Sequence, residues 1–257
     1  MRNVLLLGTL AAILSATISH PDVRTIVERS VAVSDQDWAA APRFDFTEED
    51  RVPTGTVRYQ VMMVLGSPYY YRVAENGRPL PPDQARAEQQ RLEEATARRR
   101  AESVQQRAAR IAKYQRDRKR DHMLMSQLSR AFDFKFVREE SMGPYRVWEL
   151  KATPRAGYQP PSMETQALTG MAGTLWIDAK TLQWVKVEAH VVRPVAIEGF
   201  LARVERGTYF ELEKAPLSDG TWQFEHFAMR ARAKGCSFCS ITGAQLTRLI
   251  PLYHVSK

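Results

Sequence analysis

Val23, Ile26, Val27 and Val31, with Ser30 between them, recur at the spacing of one helix face, so residues 21–41 predict a short amphipathic helix. Trp38 is placed to dock that helix on the body. Phe44-Asp45-Phe46 opens a different regime. Val57, Tyr59, Val61, Met63 and Leu65 alternate with Arg58, Gln60 and Met62, the period-two signature of a half-buried strand, which Gly66-Ser67-Pro68 ends. Residues 69–75 read as the next strand, and Asn76-Gly77 after them is a strong tight-turn signal, because both residues tolerate positive φ.

Pro79-Leu80-Pro81-Pro82-Asp83 then starts a helix, prolines fitting a first turn and Asp83 complementing the helix dipole. From Asp83 to Phe132 there is neither Gly nor Pro. Residues 83–121 hold twelve Arg or Lys against seven acids. An unbroken helix of that length would exceed roughly 50 Å, wider than a domain of this size, so it must protrude, bend or lie across a sheet. Leu92, Val104, Ala108 and Ile111 form a thin apolar stripe, and Met123, Leu124, Met125, Leu128 and Phe132 a richer one, so the last third is expected on the core and the rest in solvent.

Beyond it the chain is nearly all strand. Residues 134–138, 145–151, 174–178, 183–192, 197–204, 208–213, 222–232 and 245–255 alternate or are β-rich, giving about eleven strands with the earlier segments. Turn chemistry at Met142-Gly143-Pro144, Asp178-Ala179-Lys180-Thr181, Glu198-Gly199, Arg206-Gly207 and Ser218-Asp219-Gly220 joins them. Short joints favour antiparallel neighbours. Residues 154–171, with Pro154, Gly157, Pro160 and Pro161, read as a longer loop able to act as a flap. The expected fold class is therefore mainly β (α+β): a strongly curved antiparallel sheet with helices against its concave face and one long charged helical insertion at 82–132.

At the N-terminus, Arg2, the apolar residues 4–14 and the small residues Ser15-Ala16-Thr17 have the order of a secretory signal peptide, expected to span 1–19 and to leave a single domain over 20–257. The apolar run falls short of the about 20 residues that cross a bilayer. A retained N-terminal anchor is the alternative. No Cys lies near the segment, which excludes a lipid-modified N-terminal Cys. The chain is expected in the periplasm or outside the cell, soluble after cleavage, with a formal net charge of +8 for the full sequence. That charge is concentrated in 83–121 and points to an anionic membrane surface rather than nucleic acid, which export disfavours.

The two cysteines, Cys236 and Cys239, are a disulfide candidate in an oxidising compartment; a free thiol pair and a redox pair are the alternatives. Two thiolates cannot make a four-Cys zinc site, and none of the five His stands at ligand spacing from them. There is no HExxH, no G-x-S-x-G elbow and no P-loop. Adjacent acids such as Glu139-Glu140 are sent to opposite faces of a strand and make poor acid/base partners. No catalytic set, metal or cofactor is expected. What the strands offer is apolar and aromatic surface, and Tyr59, Val61, Met63, Trp148, Trp176, Phe200, Trp222 and Phe224 are the candidate lining of an apolar cavity, with core packing as the competing role.

The helix Asp22-Val23-Arg24-Thr25-Ile26-Val27-Glu28-Arg29-Ser30-Val31, then Phe44-Asp45-Phe46-Thr47-Glu48, then Asn76-Gly77-Arg78-Pro79-Leu80 ahead of a charged helix, resembles exported bacterial proteins of the outer-membrane lipoprotein-sorting (LolA-like) superfamily. Gly173-Thr174-Leu175-Trp176-Ile177-Asp178, Leu182, Val185-Lys186-Val187-Glu188, Gly199-Phe200-Leu201 and Arg206-Gly207 fit the same group. The resemblance reaches about Phe227. It implies an unclosed antiparallel half-barrel whose concave side is plugged by helices over a hydrophobic cavity, which in the carriers holds lipoprotein acyl chains. Other relatives bind different lipids or sense envelope proteins, and none of the matched residues is catalytic in that family. The insertion at 82–132 and the segment around Cys236 and Cys239 depart from the compact carriers. The expected function is a non-enzymatic binding or carrier protein for a lipid or lipidated protein. The alternative is an envelope protein-interaction or sensing module that uses the long helix as its arm.

Overall fold

Residues 22–52, 54–197, 202–234 and 242–255 are described by the structure, a computed structural model. The expected signal peptide, Phe200, Cys236 and Cys239 lie outside them. The strands are β1 (Phe44–Val52), β2 (Gly55–Val64), β3 (Ser67–Glu75), β4 (Arg78–Pro79), β5 (Phe132–Met142), β6 (Tyr145–Pro154), β7 (Met171–Asp178), β8 (Trp184–Val191), β9 (Val195–Ile197), β10 (Ala202–Val204), β11 (Tyr209–Pro216), β12 (Trp222–Lys234) and β13 (Thr242–Val255). The helices are α1 (Val23–Ala40), α2 (Pro82–Arg100), α3 (Val104–Ser126) and α4 (Leu128–Ala131). A 3-10 turn, Glu164–Gly170, stands between β6 and β7.

The strands pair in the order β4-β3-β2-β1-β13-β12-β11-β8-β7-β6-β5, with β10 bridging β9 to β12. Every pairing is antiparallel. β4 and β5 end the path without meeting, so the sheet is not a closed barrel. The chain leaves the sheet at the β4 edge and re-enters at the β5 edge, and α2, α3 and α4 are the connection between those edges.

The expected single helix over 83–121 is two. α2 stops at Arg100, and Ser103 starts α3 through a capping box in which its side chain accepts from Gln106 N and the Gln106 side chain accepts from Ser103 N. The bend is pinned on the β2–β3 turn from both sides. Arg99 donates to the carbonyls of Val64, Ser67 and Pro68 at 2.8, 2.9 and 3.1 Å. Arg110 donates to Ser67 Oγ at 2.7 Å and to the Leu65 carbonyl at 3.1 Å while holding Glu102 with its remaining edge. That turn carries Leu65 at φ 50° and Gly66 at φ 92°. A Cβ on Gly66 would stand 2.8 Å from Ile111 Cδ1, so α3 sits hard against it.

α1 lies across the same face. Asp22 caps it by accepting from Thr25 N. Ile26 and Val27 bury against Leu150 of β6, Leu175 and Ile177 of β7 and Trp184 of β8. Trp184 is 1% exposed, and its Nε1 donates to Ser30 Oγ at 3.0 Å, so this buried tryptophan is also a polar tie to α1. The opposite face is partly ionic: Lys186 stands 3.0, 2.6 and 3.3 Å from carboxylates of Glu188, Glu211 and Glu213. Glu139 and Glu140 do turn to different tryptophans, Trp148 and Trp176.

Asn76 and Gly77 take φ 51° and 75° and close the β3–β4 hairpin, as the sequence predicts. Residues 197–204, expected as one strand, contribute Ile197 to β9 and residues 202–204 to β10. Gly173 is small for a different reason. A Cβ there would stand 2.1 Å from the Glu188 carbonyl oxygen and 3.0 Å from Ala189 Cα, both backbone atoms of the neighbouring strand. Gly173→Ala is therefore expected to lower unfolding free energy by about 1–3 kcal/mol. Gly77→Ala, with nothing within 4 Å, should cost only the left-handed backbone penalty of about 1–2 kcal/mol. Urea titration of both variants measures the two losses.

Candidate functional site

α1 and α3 do not fill the space above β1–β3, β11 and β12. α1 turns Ser34, Asp37 and Trp38 toward the gap, Ala41 joins them from the turn just after it, and α3 turns Tyr114, Arg118, His122 and Met125. The strands contribute Phe44, Phe46 and Glu48 (β1), Met63 (β2), Tyr70 (β3), Lys214 (β11) and Trp222, Gln223 and Phe224 (β12). The cavity they enclose is about 300 Å³, at the lower end of the roughly 300–1,000 Å³ of small-molecule sites. A second depression, about 480 Å³, lies between the start of α1 and β5 and is lined by Asp22, Arg24, Asp133 and Arg155 among others, so charge dominates it.

Trp38 organises the helix pair. His122 stacks on its ring at 4.4 Å with 14° between planes, and Arg118 lies over it at 4.5 Å. The Arg118 guanidinium also donates to the Trp38 carbonyl and stands 5.6 Å from the Tyr114 ring. Burial pushes Arg118 below its ordinary pKa and Tyr114 above its own. Tyr114 Oη reaches Met63 Sδ at 3.9 Å, which ties α3 to β2 across the cavity. His122 Nε2 is 2.7 Å from Asp35 Oδ1.

At the floor, Asp37 is spent on structure. Its Oδ2 accepts from Lys214 Nζ at 3.1 Å, its Oδ1 from Trp222 N at 3.1 Å, and its carbonyl from Gln223 Nε2 at 3.1 Å. Lys214 also reaches Gln183 Oε1 at 3.4 Å. Burial pulls the Lys214 ammonium below its ordinary value, against the opposing pull of Asp37. The ion pair therefore fixes α1 to β11 and β12 without leaving a free charge in the cavity wall.

Of the residues the sequence singles out, Met63, Trp222 and Phe224 line this cavity. Tyr59 and Val61 share their strand with Met63; Val61 is 1% exposed, and Tyr59 meets Tyr70 edge-on at 5.9 Å. Trp148 packs beside α1 with Nε1 on Glu139 Oε2 at 3.3 Å. Trp176 belongs to another cluster, with Val147, Val185 and Trp222, and donates to Glu140 Oε1 at 2.9 Å. The residues that sequence reasoning did not gather are the helical ones. Ser34, Asp37, Trp38 and Ala41 follow i, i+3, i+4, i+7, and Tyr114, Arg118, His122 and Met125 follow i, i+4, i+8, i+11. Each is a helix stripe, but the polar members make it read as solvated. Among the described residues no cluster of His, Cys, Asp or Glu could hold a metal, and no helix is long and apolar enough to cross a membrane.

In structure the chain is similar, at low sequence identity, to several solved proteins. A LolA superfamily protein from Nitrosomonas europaea is 11% identical, covering 93% of this chain and 95% of its own, with a TM-score of 0.35. A putative outer membrane lipoprotein-sorting protein domain from Vibrio parahaemolyticus is 11% identical over 89% and 92%, TM-score 0.34. The MucA/MucB complex of Pseudomonas aeruginosa follows at 12% over 89% and 99%, TM-score 0.22. TM-scores this low fix neither ligand nor partner. No family model and no curated protein matches the chain.

Removing one member of a buried ion pair strands the other charge. Asp37→Ala is expected to cost about 3–5 kcal/mol of stability, and Asp37→Leu combined with Lys214→Met should recover most of that loss. Thermal unfolding of the two single variants and the double variant decides it; a double-variant loss equal to the sum of the single losses would mean the pair is not coupled.

Proposed function

We propose that the chain is an exported binding or carrier protein that holds an acyl chain, of a lipid or a lipidated protein, in the cavity under α3, and that it performs no catalysis. The observation that carries this reading is the cavity wall. Phe44, Phe46, Met63, Met125 and Phe224 give it apolar walls, while its charged members are largely committed to one another or to backbone. Such a surface gains from burying hydrocarbon, at about 25 cal/mol per Å² removed from water, and offers methionines that adapt to an irregular guest. An open antiparallel sheet that carries helices over one face suits the same role. Phe224→Asp puts an unpaired charge in that wall. It is expected to abolish uptake of a fluorescent fatty acid that the wild-type protein binds, with β circular dichroism retained; undiminished uptake would place the hydrocarbon elsewhere.

A second reading has its own observation. Lys113, Arg116, Lys119 and Arg120 are exposed on the side of α3 away from the cavity, with Asp117 as the acid between them. They suit the helix as an arm that meets an envelope partner or an anionic membrane surface. Reversing all four to Glu should abolish salt-sensitive co-sedimentation with phosphatidylglycerol vesicles and leave fatty-acid uptake intact. Unchanged sedimentation rejects the membrane arm.

A further inference from the structure

We propose that the guest of the cavity is an amphiphile whose head group both donates and accepts a hydrogen bond, a hydroxyl, received between Ser34 and His122. The inference rests on the cavity reading and adds the chemistry of the head. Ser34 is 3% exposed and the His122 side chain 10% exposed, and both line the cavity. Ser34 Oγ and His122 Nδ1 are buried without a hydrogen-bond partner. They belong to one patch, because Ser34 stands one helical turn before Trp38 and His122 stacks on the Trp38 ring. Ser30, a turn earlier, shows how the same residue type is treated where no guest is needed: its hydroxyl donates to the Val27 carbonyl and accepts from Trp184 Nε1.

The chemistry of the head follows from the histidine tautomer. The Asp35 carboxylate only accepts, so His122 Nε2 carries the hydrogen, and with that single ring proton His122 presents Nδ1 as a lone pair. A guest must therefore bring a donor to Nδ1, and the free Ser34 hydroxyl then donates to the guest's own oxygen. A hydroxyl meets both demands with one atom. An ether meets only the second. A carboxylate brings no donor, and of the two cations in the cavity wall Lys214 is held by Asp37 and Arg118 donates to the Trp38 carbonyl. Buried polar groups left unpaired make a site reject analogues lacking the matching group far more strongly than a difference in hydrocarbon does.

The test is calorimetric titration of the purified protein with 1-decanol, methyl decyl ether and decanoate, which share a chain and differ in the head. Decanol is expected to bind at least about tenfold tighter than the ether, and Ser34→Ala and His122→Phe to reduce that preference to less than about threefold. Because its oxygen has no partner in the protein, Ser34→Ala is also expected to melt no lower than wild type. Equal affinities of decanol and ether, tightest binding by decanoate, or a fall in melting temperature of Ser34→Ala would each overturn the hydroxyl. Binding of none of the three ligands would instead remove the cavity reading itself.

Discussion

The chain finishes four strands at one edge of an open sheet and must resume at the other edge, and everything distinctive about the molecule follows from that crossing. A connection of this kind has to run over a face. Done as irregular backbone it would carry unsatisfied amides across apolar side chains, whereas helices satisfy their own. α3 alone, at 1.5 Å per residue, covers about 34 Å, comparable to the width of seven strand spacings. The crossing also explains why the helix must break: α2 leaves the β4 edge in one direction, and only a bend on the β2–β3 turn redirects the chain toward β5.

A helix that crosses a sheet need not be flush with it. Near β5–β8 the face is sealed by α1, where Ile26 and Val27 meet Leu150, Leu175, Ile177 and Trp184. Over β1–β3 and β12, α3 is instead held by long side chains, Arg118 on Trp38 and Tyr114 on Met63, and the hollow remains between them. Sealed core and hollow therefore share one face. The buried ion pair of Asp37 and Lys214 stands at their border and fixes how far α1 reaches.

Much of the sheet was legible because a strand writes its own pattern. The alternation of Val57, Tyr59, Val61 and Met63 and the Asn76-Gly77 turn are local facts, and the structure repeats them. Pairing order was not legible: that β13 meets β1, two hundred residues away in sequence, depends on which edge the insertion reaches. The strand aromatics of the cavity were read, but Trp176 shows the limit, since inward and outward faces differ by one residue of register, and Trp148, on the inward face, packs under α1 instead. The helix side of the site was hidden for a different reason. Ser34, Asp37, Arg118 and His122 are polar, and a polar helix position reads as solvent until a partner such as Trp38 is known to cover it. The break at Ser103 had a signal, the Ser-x-x-Gln spacing, drowned in an uninterrupted run of strong helix formers.

The basic charge of the insertion divides along the same line. Arg99, Arg110 and Arg118 turn inward and spend their planar forks on backbone carbonyls and, for Arg110, on Glu102 as well, a geometry that a lysine's point charge does not reproduce. Lys113, Arg116, Lys119 and Arg120 turn outward. A leucine at 99, 110 or 118 would add to a core but could not satisfy the carbonyls that the β2–β3 turn and the end of α1 present there. Arginine supplies donors at the end of a long apolar stem: Arg99 and Arg110 pin the helix bend close on the β2–β3 turn, and Arg118 spans to α1 beside the hollow. The charged composition of this segment and the hollow beneath it are thus one solution: contacts with the reach of arginine let a helix cross the face without filling it.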